Sequence, residues 1–279
     1  MRTYRTVLSI AGSDSIGGAG IQADLKTFSA LGVYGMTAIT ALTAQNTQSV
    51  LHILPTTPEN LRLQLEAVFT DVTPDAVKIG MLHNESLIEV VLRAFDDYKP
   101  QNIVLDPVMI STSGCALLSP SCEDLIKNEL MPRCNIATPN MPETQALAGF
   151  EINDMASLNA AGKALTKLCP AVLIKGGHSD GNTVTDYLFE ADRPESTSFA
   201  MQRISTTNTH GTGCTLSSAI AAHLALGYNM QQSVALAKEY ISKAIYYGAD
   251  VTFGRSNGPV NHLFAPRQLQ IINNYESKD

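Results

Sequence analysis

The sequence predicts an α/β protein, a mostly parallel sheet flanked by helices. Three observations predict it. Short apolar runs alternate along the chain with segments of helical period, the mark of βαβ units. Polar and glycine-bearing residues gather just after those runs, where open α/β sheets bind ligands. The composition is that of a packed domain: 44% of the 279 residues are hydrophobic, and 19 Gly with 13 Pro fall far short of the roughly 25% typical of low-complexity chains.

In chain order, the apolar runs that read as strands are Thr6–Ala11, Gly35–Leu42, Ala76–Met81, Asn102–Val108, Asn135–Thr138 and Ala171–Lys175. Between the first two, Ile21, Leu25 and Phe28 recur on one helical face. Thr57-Pro58-Glu59 opens the next helix with a capping hydroxyl, a proline at the first helical position and an acid in the first turn; Leu61, Leu65, Val68 and Phe69 form its buried face. Further helical patterns cover Asn84–Tyr98, Ser121–Leu130 and Asp154–Leu168. After Lys175 come two strand-like runs, Thr185–Phe189 and Phe199–Ile204, then long helices over Gly213–Leu226 and Met230–Tyr247. No linker, repeat or charge block divides the chain, so residues 1–279 read as one domain.

Charge and cysteine usage narrow the function. With 19 Lys+Arg against 26 Asp+Glu the formal charge is −7, which argues against nucleic acid or an anionic membrane as main partner. No apolar run approaches the ~18 residues of a membrane span, and Arg2 and Arg5 lead straight into an apolar strand without a signal-peptide core. A soluble cytoplasmic protein is expected. The five cysteines, Cys115, Cys122, Cys134, Cys169 and Cys214, are odd in number and never form Cys-x-x-Cys, so reduced thiols are expected.

The chemistry-bearing residues follow the strands. Gly12-Ser-Asp-Ser-Ile-Gly17-Gly18-Ala-Gly20 permits positive φ and close approach of backbone to a ligand, with a tight strand-to-helix turn as the plain alternative. It lacks the Lys-Ser/Thr of a Walker A loop and holds only a fragment of a dinucleotide fingerprint. Asp24, one turn into the helix, reads as an exposed acid or as an acceptor for a ligand amine. Gln45 offers the donor and acceptor that an aminopyrimidine or pyridine edge wants. Asp106, followed by Pro107, leaves a carboxylate at a strand tip, able to act on phosphate through magnesium. Asn140 and Glu143 have the spacing of a helix-capping pair; the functional alternative sets Glu143 on a magnesium-bound water. His210-Gly211-Thr212-Gly213-Cys214 opens an amphipathic helix, an anion site made of free N–H groups and the helix dipole. Cys214 in that field is expected to have a lowered pKa, or else to be a small buried thiol.

Taken together, Gly12-Ser-Asp14, Gly17 to Lys26, Met36 to Asn46, Lys78-Ile-Gly-Met81, Asp106-Pro-Val-Met109, Asn140-x-x-Glu143, Lys175-Gly-Gly-His178 and His210 to Cys214 resemble the ribokinase superfamily. Within it the resemblance is to the hydroxymethylpyrimidine/phosphomethylpyrimidine kinases of thiamine biosynthesis. It implies a ribokinase-like three-layer sandwich and ATP-dependent phosphorylation of 4-amino-5-hydroxymethyl-2-methylpyrimidine, then of its monophosphate. It implies ATP and Mg2+, with a monovalent cation as an option, and a homo-oligomer, a dimer. By the same resemblance Gly12, Asp24 and Gln45 bind the pyrimidine, while Met81 and Val108 pack on its ring. Gly211, Thr212 and Gly213 form the anion hole, and Cys214 is the catalytic base where the superfamily usually has Asp. Asp106, Asn140 and Glu143 order Mg-ATP, with Asp106 and Glu143 toward the metal, and Lys175 lies near the phosphates. At 279 residues, the fused thiamine phosphate synthase domain of some relatives is not expected here.

A pyridoxal kinase on the same scaffold is the nearest alternative. A nucleotide-dependent oxidoreductase is disfavoured, because Gln45-Asn46 stand where an acid should end the second strand. A silent sensor of the precursor is disfavoured by Cys214 and Asp106. Residues 110–120, rich in Ser, Thr and Gly and containing Cys115, are expected to form a lid over the phosphates.

Overall fold

The computed structural model describes residues 2–109, 121–176 and 181–273. The expected lid, with Cys115, and His178 lie outside them. In order the elements are β1 Arg2–Tyr4, β2 Thr6–Asp14, α1 Gly20–Ala30, β3 Tyr34–Gln45, β4 Val50–Pro55, α2 Pro58–Phe69, β5 Ala76–Ile79, α3 Glu85–Tyr98, β6 Ile103–Leu105 and α4 Ser121–Leu125. They continue with β7 Ile136–Ala137, α5 Met141–Ala148, α6 Met155–Leu165, β8 Ala171–Ile174, β9 Thr183–Glu190, β10 Thr197–Gln202, α7 Thr212–Ala225, α8 Met230–Tyr246 and β11 Ile271–Asn273.

The main sheet has the order β10-β9-β8-β7-β6-β5-β2-β3-β4. The stretch from β8 to β3 is parallel, and antiparallel β9, β10 and β4 finish the two edges. Side-chain alternation along the strands separates the two helical layers. Leu8, Ile10, Val77, Ile79, Leu105 and Val172 point to a core shared with α2, α3 and α6. Val7, Ala76, Val104 and Leu173 point to the other face, against α1, α7 and α8. The central parallel strands are therefore largely apolar on both sides, and the sequence shows them as apolar runs.

Two strand pairs are additions to the sequence reading. β4 pairs antiparallel with β3 through a turn in which Asn46 Oδ1 accepts the N–H groups of Gln48 and Ser49. Gln45 is the last residue of β3. β1 and β11 form a separate two-stranded sheet. The helix expected over Ser121–Leu130 begins as α4 and widens into a π-helical turn over Ile126–Leu130. No described helix is long and apolar enough to cross a membrane.

Candidate active site

The carboxyl ends of β2, β3, β5, β6, β7 and β8 and the start of α7 surround one cavity of about 910 Å³. Its size suits a small heterocycle together with a nucleotide.

One end has an apolar floor. Met81 packs with Ala41, and Val108 and Ile53 lie against them. Gly12 lies against this floor: a Cβ at its position would stand 2.8 Å from Met81 Cε and displace the end of that side chain. Gln45 reaches over this floor, its Nε2 3.2 Å from His210 Nε2. The same ring nitrogen lies 2.9 Å from Asp14 Oδ2. A carboxylate only accepts, so this nitrogen carries the proton and has nothing left to offer the Gln45 amide as acceptor. The Gln45 Nε2 donor is therefore left for a ligand, while its Oε1 lies 3.5 Å from Thr43 Oγ1. Gly12, Gln45, Met81 and Val108 are brought together as the sequence suggests.

Asp24 is not among them. Its side chain is wholly enclosed and fully engaged: Lys78 Nζ donates to both oxygens at 2.9 and 3.0 Å, Ser9 to Oδ2 at 2.5 Å and Ser218 to Oδ1 at 2.6 Å. The helical face of Asp24 turns inward, toward a buried lysine that has to be paired. In this structure it has no acceptor left for a substrate amine, and the expectation that it reads the pyrimidine is corrected to a role beneath the site.

At the other end Lys175 Nζ donates to Asp106 Oδ1 at 2.8 Å and stands 4.0 Å from Glu143 Oε2. Burial pushes the Asp106 carboxyl up, but Lys175 and Lys78 more than offset it and hold it below the usual carboxylate range. Glu143 goes the other way: burial, with Asp106 adding to it, raises its carboxyl despite Lys175. Asn140 and Glu143 form a capping box at α5, Glu143 N–H donating to Asn140 Oδ1 at 2.9 Å and Asn140 N–H to Glu143 Oε2 at 2.7 Å. The capping reading thus holds, and Glu143 faces the cavity as well. Among the described residues no group of three or more His, Cys, Asp or Glu could hold a metal.

Between the two ends lies the N-terminus of α7. Gly211 caps it at φ +79°, and a Cβ there would fall 1.8 Å from the Gly18 carbonyl oxygen, so glycine is required twice over. Thr212 and Gly213 follow, and an ideal Cβ on Gly213 would lie 3.5 Å from Lys175 Nζ and 3.7 Å from Asp106 Oδ2. The first N–H groups of a helix have no intrahelical acceptor; here Thr212 N–H donates to Thr209 O at 3.3 Å, while Gly213 lies beside the lysine and Asp106. Asp14 ties this helix start to the glycine loop: its Oδ2 accepts from Gly18 and Ala19 N–H and meets His210.

Cys214 lies in this first turn, but its thiol is not lowered. Burial pushes it up to about 11; Lys78 pulls it down, Asp106 and Asp24 push it further up, and a backbone contact to Gly20 lowers it. The expectation of a lowered pKa is corrected: desolvation outweighs the helix dipole. Lys78, Asp14 and His210 were quoted in the sequence motifs without a role. A lysine between Val77 and Ile79 in a strand apolar on both faces was the available signal.

The residues from 14 to 261 match the family model described as phosphomethylpyrimidine kinase. The chain belongs to the phosphomethylpyrimidine kinase family. This kinase is 45% identical over 260 residues to the hydroxymethylpyrimidine/phosphomethylpyrimidine kinase of Escherichia coli strain K12, covering 92% of this chain and 97% of that one. It is 42% identical to the thiamine biosynthesis bifunctional protein ThiED of Geobacter sulfurreducens, covering 95% of this chain and 54% of that protein. Its fold is shared with a solved structure of Bacillus subtilis pyridoxal kinase in complex with ADP, at TM-score 0.85 and 33% identity, covering 93% of this chain and 98% of that one. The ribokinase-like sandwich is thereby borne out.

Proposed function

We propose that this kinase transfers the γ-phosphoryl group of ATP to 4-amino-5-hydroxymethyl-2-methylpyrimidine and then phosphorylates the monophosphate to the diphosphate, in thiamine biosynthesis. Family membership supports the class of reaction. The observation that carries the reading to residues is the meeting, in one cavity, of an apolar floor under Gln45 with the Lys175–Asp106–Glu143 cluster at a helix N-terminus.

Phosphoryl transfer asks the protein for alignment, charge neutralisation and a base. Met81, Val108 and Gly12 take the ring, and Gln45 reads its polar edge. The N–H groups of Gly211 and Gly213, and that of Thr212 on leaving the Thr209 carbonyl, receive charge developing on the transferred group, where losing one donor costs about 3–4 kcal/mol. Lys175 adds a cation at the phosphates. Asn140 holds Glu143 toward them through the capping box. Cys214 accepts the proton of the attacking hydroxyl in its thiolate form, a form that its raised pKa of about 11 makes more abundant as pH rises.

Asp106 and Glu143 fit Mg2+, which takes one or two carboxylates and completes its shell with phosphates and water. When bound, it neutralises charge on the phosphate oxygens. A monovalent cation belongs to the same reading and is tested by potassium dependence. So do a single domain over 1–279, a cytoplasmic location and a homodimer, tested by limited proteolysis, cell fractionation and light scattering.

The pyridoxal kinase reading rests on fold similarity at 33% identity. The deciding experiment is coupled ADP release with hydroxymethylpyrimidine, its monophosphate and pyridoxal side by side. Turnover of both pyrimidines with the highest kcat/KM is expected. Pyridoxal as the better substrate would overturn the pyrimidine reading.

A further inference from the structure

β9 carries a buried carboxylate that the mechanism above leaves without a role. Asp186 is 3% exposed. Its Oδ2 accepts from Lys238 Nζ of α8 at 2.7 Å, and its Oδ1 accepts the Gly176 N–H at 2.9 Å. β8 and β9 run antiparallel with Ile174 opposite Tyr187, where the regular pairing ends. Two residues on, Gly176 lies so close to β9 that a Cβ would stand 1.9 Å from the Thr185 carbonyl oxygen. No larger residue fits, and the Gly176 N–H goes to the Asp186 side chain.

The neighbour of this glycine is Lys175. Its own N–H donates to Pro139 O at 2.9 Å, and its Nζ reaches Asp106. The backbone that presents the lysine is therefore gripped on one side by the exit of β7 and on the other by Asp186. Asp186 and Lys238 both line the cavity, yet their charges are spent on each other. A carboxylate so engaged is poorly suited to a direct ligand contact and well suited to holding backbone.

We propose that Asp186 is a positioning residue for phosphoryl transfer. By accepting the Gly176 N–H it sets the backbone from which Lys175 reaches the phosphates, and Lys238 keeps the carboxylate in place. The proposal rests on the reading of Lys175 given above.

Removing Asp186 alone would strand a buried lysine, so the pair is replaced as a unit; apolar replacement of a buried ion pair is often tolerated. Asp186→Leu with Lys238→Met removes the acceptor for Gly176. Asp186→Asn with Lys238→Met removes the charges and keeps a carbonyl acceptor. The Leu form is expected to lose about 10²-fold in kcat, the scale of a small misplacement, with KM for the pyrimidine unchanged. The Asn form is expected to recover most of it. In a Lys175→Ala background the Leu form should cost less than about threefold more, because coupled residues are not additive.

Equal kcat for the Leu and Asn forms, or a full multiplied loss without Lys175, would overturn the proposal. So would a change confined to KM for ATP, which would assign the pair to nucleotide contact. Lys175→Ala alone tests the underlying reading: wild-type kcat there removes Lys175 from the reaction and the proposal with it. A slow Lys175→Ala enzyme with multiplied losses removes the proposal alone.

Discussion

Cys214 stands under two opposed influences, and magnitudes decide between them. A helix N-terminus stabilises a nearby anion by about 0.3–1 kcal/mol when exposed, less than one pKa unit at about 1.4 kcal/mol each. Desolvation of the half-buried thiol costs more, and its pKa stands at about 11. An acid with a raised pKa gains its anion only as pH rises toward that value. If Cys214 is the base, the ascending limb of kcat against pH is expected above the roughly 8.5 of a free thiol, and it should disappear in Cys214→Asp, whose carboxylate is already ionised. Cys214→Ser and Cys214→Ala are expected to lose at least about 10²-fold in kcat. Lys78 is the strongest pull on the thiol toward its charged form, ahead of the opposite push from Asp24. Lys78→Met combined with Asp24→Asn, which keeps the buried pair neutral, should therefore move the limb to still higher pH. Near wild-type turnover by Cys214→Ala at pH 7.5 would remove the thiol from the reaction and leave the glycine N–H groups as the main catalytic element.

Among the elements, α7 shows what a sequence discloses and what it hides. Its start was legible from Gly211-Thr-Gly213, and its apolar face from Leu216, Ile220 and Leu224. Its depth was not, because Ser217, Ser218 and the alanines read as neutral while every residue from Thr215 to Ala225 is in fact buried. The central parallel strands were readable for the reason that makes them buried: both faces are apolar. β4 escaped notice because Leu51 and Leu54 are 70% and 56% exposed, so its pattern follows no core. Lys78, alone in an apolar run, signals a buried cation that needs a partner, but nothing local ties it to Asp24, 54 residues away. His223, in the last turn of α7, was hidden too: charge there would suit the helix dipole, yet burial lowers its pKa to about 4, helped by Arg267. The folded state then binds fewer protons than the unfolded state as pH falls below about 6.5, so its contribution is present above that pH and lost toward 4. Between pH 6.5 and 5 the loss is about 2 kcal/mol. His223→Phe keeps the ring edge against Tyr228 and should narrow the gap between melting temperatures at pH 7.5 and 5. An unchanged gap would mean that His223 is protonated in the fold.

At the scale of the whole molecule, one sheet carries both ends of the cavity, and if the chain folds as the single domain proposed, ligands for either end should be felt as global stability. In the proposed reading the pyrimidine half belongs to β2, β3 and β5 and the phosphate half to β6, β7 and β8, and α7 borders the cavity between them. A ligand that binds the folded state alone stabilises it by about 2.7 kcal/mol at a hundred times its Kd. For a chain of this size that amounts to a rise of several degrees in Tm. Hydroxymethylpyrimidine and a nonhydrolysable ATP analogue with Mg2+ should each raise the Tm of the wild-type protein. Gln45→Leu leaves buried ligand groups unpaired, at a cost on the order of 1–3 kcal/mol, and should abolish most of the pyrimidine shift while sparing the nucleotide shift. Asp106→Asn should do the reverse, since it withdraws a carboxylate from the phosphate end and leaves the apolar floor untouched. Calorimetry suits the measurement because the chain contains no tryptophan. If Gln45→Leu diminished both shifts equally, the amide would belong to the shared middle of the cavity, and the division of the site between the two groups of strands would fail.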